Sequence, residues 1–117
     1  MTSDFSRYLP LSPAALHILL ALAAEDRHGY GIMQEVARQS EGQYKLGPGT
    51  LYDNLQKLME LSFVQEAAAR RSANDDPRRR YYKLTPHGRG LLTAEIKRLE
   101  GVVREAAVHL RPSARRA

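Results

Sequence analysis

Gly47-Pro48-Gly49-Thr50-Leu51-Tyr52-Asp53-Asn54-Leu55-Gln56-Lys57-Leu58 is the stretch on which the reading of this 117-residue chain depends. Proline suits a first helical turn, because its fixed φ fits the helix and its missing N–H would have no intrahelical partner there; the flanking glycines allow a sharp entry. Leu51, Leu55 and Leu58 then recur at spacings of four and three, an apolar stripe along one helix face. The other face carries Thr50, Tyr52, Asp53, Gln56 and Lys57, all able to hydrogen-bond and none needed for packing. A helix this short is marginal alone in water, so the rest of the chain must dock it.

Upstream, residues 1–11 lack periodicity and are expected to form a loose N-terminal arm. Ser12 and Pro13 then supply an N-cap and a first-turn proline for a helix over Pro13–Glu25. Leu16, Ile18, Leu19, Leu20 and Leu22 leave that helix almost no polar face. Two readings stay open: contact with a partner subunit as well as the chain's own core, or a central core helix. Asp26–Gly29 reads as a turn and Tyr30–Arg38 as a second helix with Met33, Val36 and Ala37 inward. Gly42 ends it, and residues 43–46 lead into the opening stretch. Two short helices on a tight link, behind a buried one, are arranged as in a helix-turn-helix, a pattern many three-helix domains share.

The segment downstream of this helix narrows the choice. Leu61–Ala67 and Arg79–Leu84 read as strands, separated by a polar loop over residues 70–78 with turn residues at its centre. A hairpin directly after a helix-turn-helix is a wing. It gathers Arg70, Arg71, Arg78, Arg79, Arg80 and Lys83, a density of charge that repels itself unless a polyanion neutralises it; the bland reading is a solvated loop. Tyr81 and Tyr82 should alternate in the strand, one toward the core and one exposed.

Thr85-Pro86 caps the last helix, expected to run to Leu110 before Arg111-Pro112 stops it. Leu92, Ile96, Leu99, Val103, Ala106 and Leu110 recur in alternating fours and threes, a heptad seam. At 1.5 Å per residue such a helix is about 37 Å long, more than a small domain covers, so the seam is expected to pair with a second copy in a homodimer. The resulting division is an arm over 1–11, a winged helix-turn-helix DNA-binding domain over 12–84, a dimerisation helix over 85–110 and a basic tail over 111–117. The fold class is mainly α with a two-stranded β-wing.

Composition agrees. The 43% hydrophobic content is enough for one small core. The absence of cysteine excludes disulfides and thiolate metal sites and fits a reducing cytoplasm. The run Ala14–Ala24 is too short to span a bilayer, and the N-terminus does not resemble a signal peptide. Residues 1–69 hold five Lys/Arg against eight Asp/Glu, whereas residues 70–117 hold thirteen against five. Basic charge concentrated on one segment suggests a polyanion approached from one side.

With these residues in view, His28-Gly29-Tyr30-Gly31-Ile32, Pro48-Gly49-Thr50-Leu51-Tyr52 and Arg79-Arg80-Tyr81-Tyr82-Lys83-Leu84-Thr85, in this order and spacing, resemble the PadR family of bacterial transcriptional regulators. The resemblance covers about residues 12–110, and the single final helix is similar to the compact branch of that family. It implies a cytoplasmic, homodimeric winged-helix repressor whose two recognition helices enter successive major grooves of a pseudo-palindromic operator and whose wings lie along the backbone. It also implies release by a small phenolic or planar apolar effector near the dimer interface. Two departures stand out: Ser62 occupies a position where members often have glycine, and Asp53 puts an acid early on the exposed helix face, where it suits a base donor such as cytosine N4 rather than phosphate.

The expected DNA contacts are therefore Thr50, Tyr52, Asp53, Gln56, Lys57, Arg70, Arg71, Arg78, Arg79, Arg80 and Lys83. An effector pocket between the first and last helices would draw on Leu16, Leu20 and Val103. No cofactor or metal is expected, since His17, His28, His87 and His109 lack the i, i+4 spacing of a helical metal site, and His17 reads as a satisfied core residue. No nucleophile motif, phosphate-binding glycine loop or paired carboxylates suggest an enzyme. The competing reading is a winged-helix module that docks on an acidic protein.

Overall fold

The computed structural model describes residues 4–68 and 79–112. Helices and strands follow in the order α1 (Pro13–Ala24), β1 (Arg27–His28), α2 (Gly29–Gln39), α3 (Pro48–Glu60), β2 (Val64–Ala67), β3 (Tyr81–Leu84) and α4 (Pro86–Leu110). The architecture is the winged helix-turn-helix with a long final helix that the sequence predicts. Among the described residues, no helix is long and apolar enough to cross a membrane.

α1 begins where Ser12 Oγ accepts the Ala15 N–H at 3.1 Å with Pro13 in the first turn. Ile18, Leu19, Ala21 and Leu22 are at most 2% exposed, because α1 touches α2, α3, α4 and β3 of its own chain. It is thus the central core helix, with Leu16 and Leu20 left half-buried on its remaining side. In α2 the inward residues are Ile32 and Val36; Met33 and Ala37, expected inward, are only half-buried. The helix starts at Gly29, one residue before the expected Tyr30.

The expected turn at Asp26–Gly29 is in part a strand. Arg27 pairs with Tyr82 and His28 with Tyr81, so the sheet is three-stranded and antiparallel, in the order β1-β3-β2. This central place for β3 explains a second difference: both tyrosines are buried. Tyr82 joins the core, while the ring of Tyr81 meets His28 edge-on at 5.3 Å on the strand's other face. On the far edge, Val64 pairs with Leu84 and Glu66 with Tyr82.

Between α3 and β2 the chain turns through Ser62, whose φ of 67° is the left-handed region that glycine adopts without cost. The Ser62 carbonyl accepts the Thr85 hydroxyl at 2.6 Å, and Thr85 Oγ1 in turn accepts the Gly88 N–H at 2.9 Å, capping α4. Gly88 sits so close to the Phe63 carbonyl that a β-carbon would collide with it. The wing base and the start of α4 are locked together by this contact.

The described part of the arm, from Asp4, is docked rather than loose. Ser6–Tyr8 forms a single 3-10 turn, Tyr8 meets the Phe63 ring edge-on at 5.2 Å, and Phe5 lies 5.3 Å from His87. Isolated aromatic residues, Phe5 and Tyr8, pack half-buried against the core here without any helical period to announce them. α4 is anchored along its first half by Leu91, Leu92 and Glu95, and from Lys97 onward none of its residues is buried. The structure is accordingly elongated, 65 × 38 × 23 Å.

Candidate nucleic-acid interface

α3 presents one face and hides the other. Gly47 and Pro48 open it as the sequence predicts, and Leu51, Leu55 and Leu58 are 0%, 1% and 6% exposed. Burying three leucines gives each about 1.5–3 kcal/mol, which holds a helix that would not persist alone. The α2–α3 link is set by Leu46, buried at its end, and by Ser40, whose hydroxyl accepts the Tyr44 N–H at 3.0 Å. Thr50, Tyr52, Asp53, Gln56 and Lys57 are all exposed. Asn54, between them, donates its side-chain amide back to the Thr50 carbonyl at 2.8 Å, so it serves the helix itself.

Tyr52 differs from its neighbours on this face. Its ring lies against Gly29 at the start of α2, where a β-carbon on Gly29 would collide with the phenol oxygen. The wing approaches the same spot. Arg79 Nη1 stands 3.1 Å from His28 Nε2, and Arg80 reaches Glu66 at 3.7 Å, both arginines being exposed. The Arg80–Glu66 pair is solvent-screened and worth little to stability, which leaves the guanidinium available for a stronger anion. Together His28, Gly29, Tyr30, Tyr52, Arg79, Arg80 and Tyr82 line a cavity of about 390 Å³. Burial raises the Tyr82 phenol above its ordinary pKa, so at neutral pH it stays protonated.

The structure thus brings Tyr52, Arg79 and Arg80 together, and keeps Thr50, Asp53, Gln56 and Lys57 on the exposed surface of α3. Lys83 is half-buried and alternates with Tyr82, so it faces the other side of β3. Arg70, Arg71 and Arg78 lie outside the described residues. Sequence reasoning assigned no role to His28, Gly29 and Tyr30. His28 is the N-cap of α2, its Nδ1 accepting the Gly31 N–H at 3.0 Å, and histidine is not among the residues that usually announce a cap, so the sequence carries little signal of it.

The other histidines also have structural positions. His17 stacks on Tyr44 at 4.9 Å, but its Nδ1 is buried without a hydrogen-bond partner among the described residues, so it is not the satisfied core residue that its place in α1 suggests. His87 stacks on Phe63 at 4.7 Å, and His109 meets Glu105 at 3.0 Å. Of the expected seam, Leu92 belongs to the chain's own core because the first turns of α4 pack on α1. Ile96, Leu99 and Ala106 are half-buried, while Val103 and Leu110 stand 66% and 79% exposed. Val103 is therefore on the half of α4 that the chain does not cover, away from any pocket that Leu16 and Leu20 could close within one subunit.

Comparison with known proteins agrees with this architecture. A transcriptional regulator of Mycobacterium tuberculosis, Rv3488, is 36% identical over 90 residues, covering 77% of this chain and 78% of that protein. Among solved structures, a PadR-like transcriptional regulator from Bacillus cereus superposes with a TM-score of 0.71 at 18% identity, over 85% of this chain and 92% of the other. A PadR family transcription regulator from Clostridium difficile gives 0.69 at 21% identity, over 85% and 99%. These two likenesses speak to the fold. Residues 18–94 match the family described as Transcriptional regulator PadR-like, and the chain belongs to that family of transcriptional regulators.

Proposed function

We propose that this regulator is a cytoplasmic, DNA-binding homodimeric repressor that reads a pseudo-palindromic operator and is released by a small apolar or phenolic effector. The observation that carries the DNA reading is the pairing of α3, apolar side buried and hydrogen-bonding side exposed, with the arginines of the wing base alongside it. Side chains such as Gln56 and Lys57 on that face suit base edges in a major groove, whereas Arg79 and Arg80 suit the backbone. Asp53 fits the same reading as an acceptor for cytosine N4.

The uncovered half of α4 supports the homodimer. Val102, Val103, Val108 and Leu110 are 51–79% exposed there, more apolar surface than a lone helix carries without a partner. To enter successive major grooves, the two α3 helices of such a dimer would have to stand about 34 Å apart, one turn of duplex. The effector reading rests on the family resemblance and on apolar surface at Leu16, Leu20 and Val103, which only a second subunit could enclose.

Selection of bound duplexes from a random pool, followed by titration at several salt concentrations, tests this. A dimer that neutralises about six to ten phosphates loses roughly 10³- to 10⁵-fold in affinity between 50 and 200 mM salt. A shallow slope with no palindrome recovered would overturn the DNA reading and favour docking on an acidic protein. Thermal-shift screening of phenolic acids, flavonoids and cationic dyes tests the effector, since a ligand at 100 times its Kd stabilises by about 2.7 kcal/mol.

A further inference from the structure

We infer that the cavity between the start of α2, the exposed face of α3 and strand β3 seats a single DNA phosphodiester, and that Tyr52 is a backbone contact rather than a base reader. This rests on the DNA-binding reading above and assigns to one of its residues a different task. The cavity, about 390 Å³, is walled by Arg79, Arg80, Tyr52, Tyr30 and His28, and among the described residues no carboxylate lines it. Glu66 holds Arg80 through an exposed pair at 3.7 Å.

The guanidinium groups of Arg79 and Arg80 can only donate, and the hydroxyls of Tyr30 and Tyr52 can donate as well as accept. His28 caps α2 through Nδ1, which accepts the Gly31 N–H, and its Nε2 stands 3.1 Å from Arg79 Nη1, beside the cavity. Both tyrosines on the rim, Tyr30 and Tyr52, are exposed enough to present their hydroxyls, at 60% and 49%. A compact wall of N–H and O–H groups with two fixed positive charges matches an anionic oxygen pair, and arginine forks match phosphate geometry in particular.

Geometry also separates Tyr52 from base reading. Its phenol is held down against Gly29, toward α2, instead of projecting from α3. Gln56, one turn further along the same face, is exposed and meets Glu60 of its own helix at 3.5 Å. A duplex met by Gln56 in the major groove would therefore carry its backbone across Tyr52 and into the cavity.

The test uses the full-length protein, a duplex recovered by selection, and a scrambled duplex of the same length. Tyr52→Phe should weaken both by the same factor, roughly 10- to 100-fold for one lost hydrogen bond to a charged group, leaving their ratio unchanged. Arg79→Ala should do the same and reduce the slope of log K against log salt by about 0.9 per subunit. A scan of single methylphosphonate linkages should then find one position per half-site at which neutralisation removes the difference between wild type and Tyr52→Phe. A changed ratio between the two duplexes, or no linkage that removes the difference, overturns the assignment. Failure of the DNA reading itself would be seen separately, as a shallow salt slope and no selected duplex for the wild type.

Discussion

The carboxylate of Glu95, 1% exposed, accepts the N–H of Leu11 at 3.0 Å, tying the end of the N-terminal arm to the middle of α4. Arg98 completes the site with Nε at 2.6 Å and Nη2 at 3.1 Å from the two carboxylate oxygens. A charge is tolerated in this position because each oxygen has a donor. Glu95→Leu removes the acceptor and leaves the Leu11 amide unpaired, so it should destabilise by about 1–3 kcal/mol and free the arm. Hydrogen exchange of residues 4–11 in the variant measures the second effect; unchanged protection there would show that Phe5 and Tyr8 suffice to hold the arm.

Acid should act through the same group and through Glu35. Hydrogen bonds from Arg38 and Gln39, with Arg27 close by, hold Glu35 down to about 2, and Arg98 followed by the Leu11 amide lowers Glu95. Both carboxyls have folded values below the unfolded value of 4.5. Their contribution is therefore complete above that pH and is lost as pH falls through the folded values. Thermal melts should show a steeper loss of stability below about pH 4.5 than a Glu35→Gln, Glu95→Gln double variant shows, the variant being less stable at neutrality. Parallel curves would assign the acid sensitivity to other groups.

The turn into the wing gives two substitutions of opposite sign. Ser62 holds φ at 67°, which costs an L-residue about 1–2 kcal/mol, partly offset in glycine by its greater unfolded-state freedom. Ser62→Gly should stabilise by roughly 0.5–1 kcal/mol, with the carbonyl still accepting the Thr85 hydroxyl. Gly88→Ala should destabilise by about 3 kcal/mol, because its methyl meets the backbone carbonyl of Phe63, which cannot rotate away. Denaturant titrations of both variants measure these directions, and a neutral Gly88→Ala would mean that β2 and α4 can separate at little cost.

α3 and α4 were legible because their signals are local: a proline in the first turn, leucines at threes and fours, and Thr85 before Pro86. The rest depends on partners distant in the chain. β1 is two residues long and exists only because β3 lies beside it; nothing in Arg27-His28 announces a strand. Glu95 interrupts the apolar pattern of α4 as though it faced solvent, yet its partner Leu11 is 84 residues away. Tyr52 reads equally well as a base contact until Gly29 is found beneath it.

Specificity should reside in the part of α3 beyond Tyr52. Gln56 and Lys57 are exposed and lie toward the C-terminal end of the helix. Gln56→Ala should change which duplexes are recovered in a selection and cost about 1–3 kcal/mol against the preferred base, with the salt slope unaltered. Arg80→Ala should instead lower affinity for all duplexes alike and flatten the slope. If Gln56→Ala left the recovered sequences unchanged, the reading face would have to be moved to Thr50 and Asp53.

The dimer is best tested where the subunit itself has nothing to lose. Leu92 is core, and Leu99 is half-buried, so aspartate at either position could damage the monomer as well as an interface. Val103, at 66% exposure, makes little contact within its own chain, and a carboxylate there is freely solvated in a lone subunit. Across a helix pair it would be buried, at a cost of several kcal/mol in each of two copies. Val103→Asp should therefore shift sedimentation from dimer to monomer while the circular dichroism and the arm's protection stay as in wild type, and it should roughly halve the salt slope of DNA binding. An intact dimer would place the interface on another face, with the half-buried edge of α1 around Leu16 and Leu20 the next to mutate.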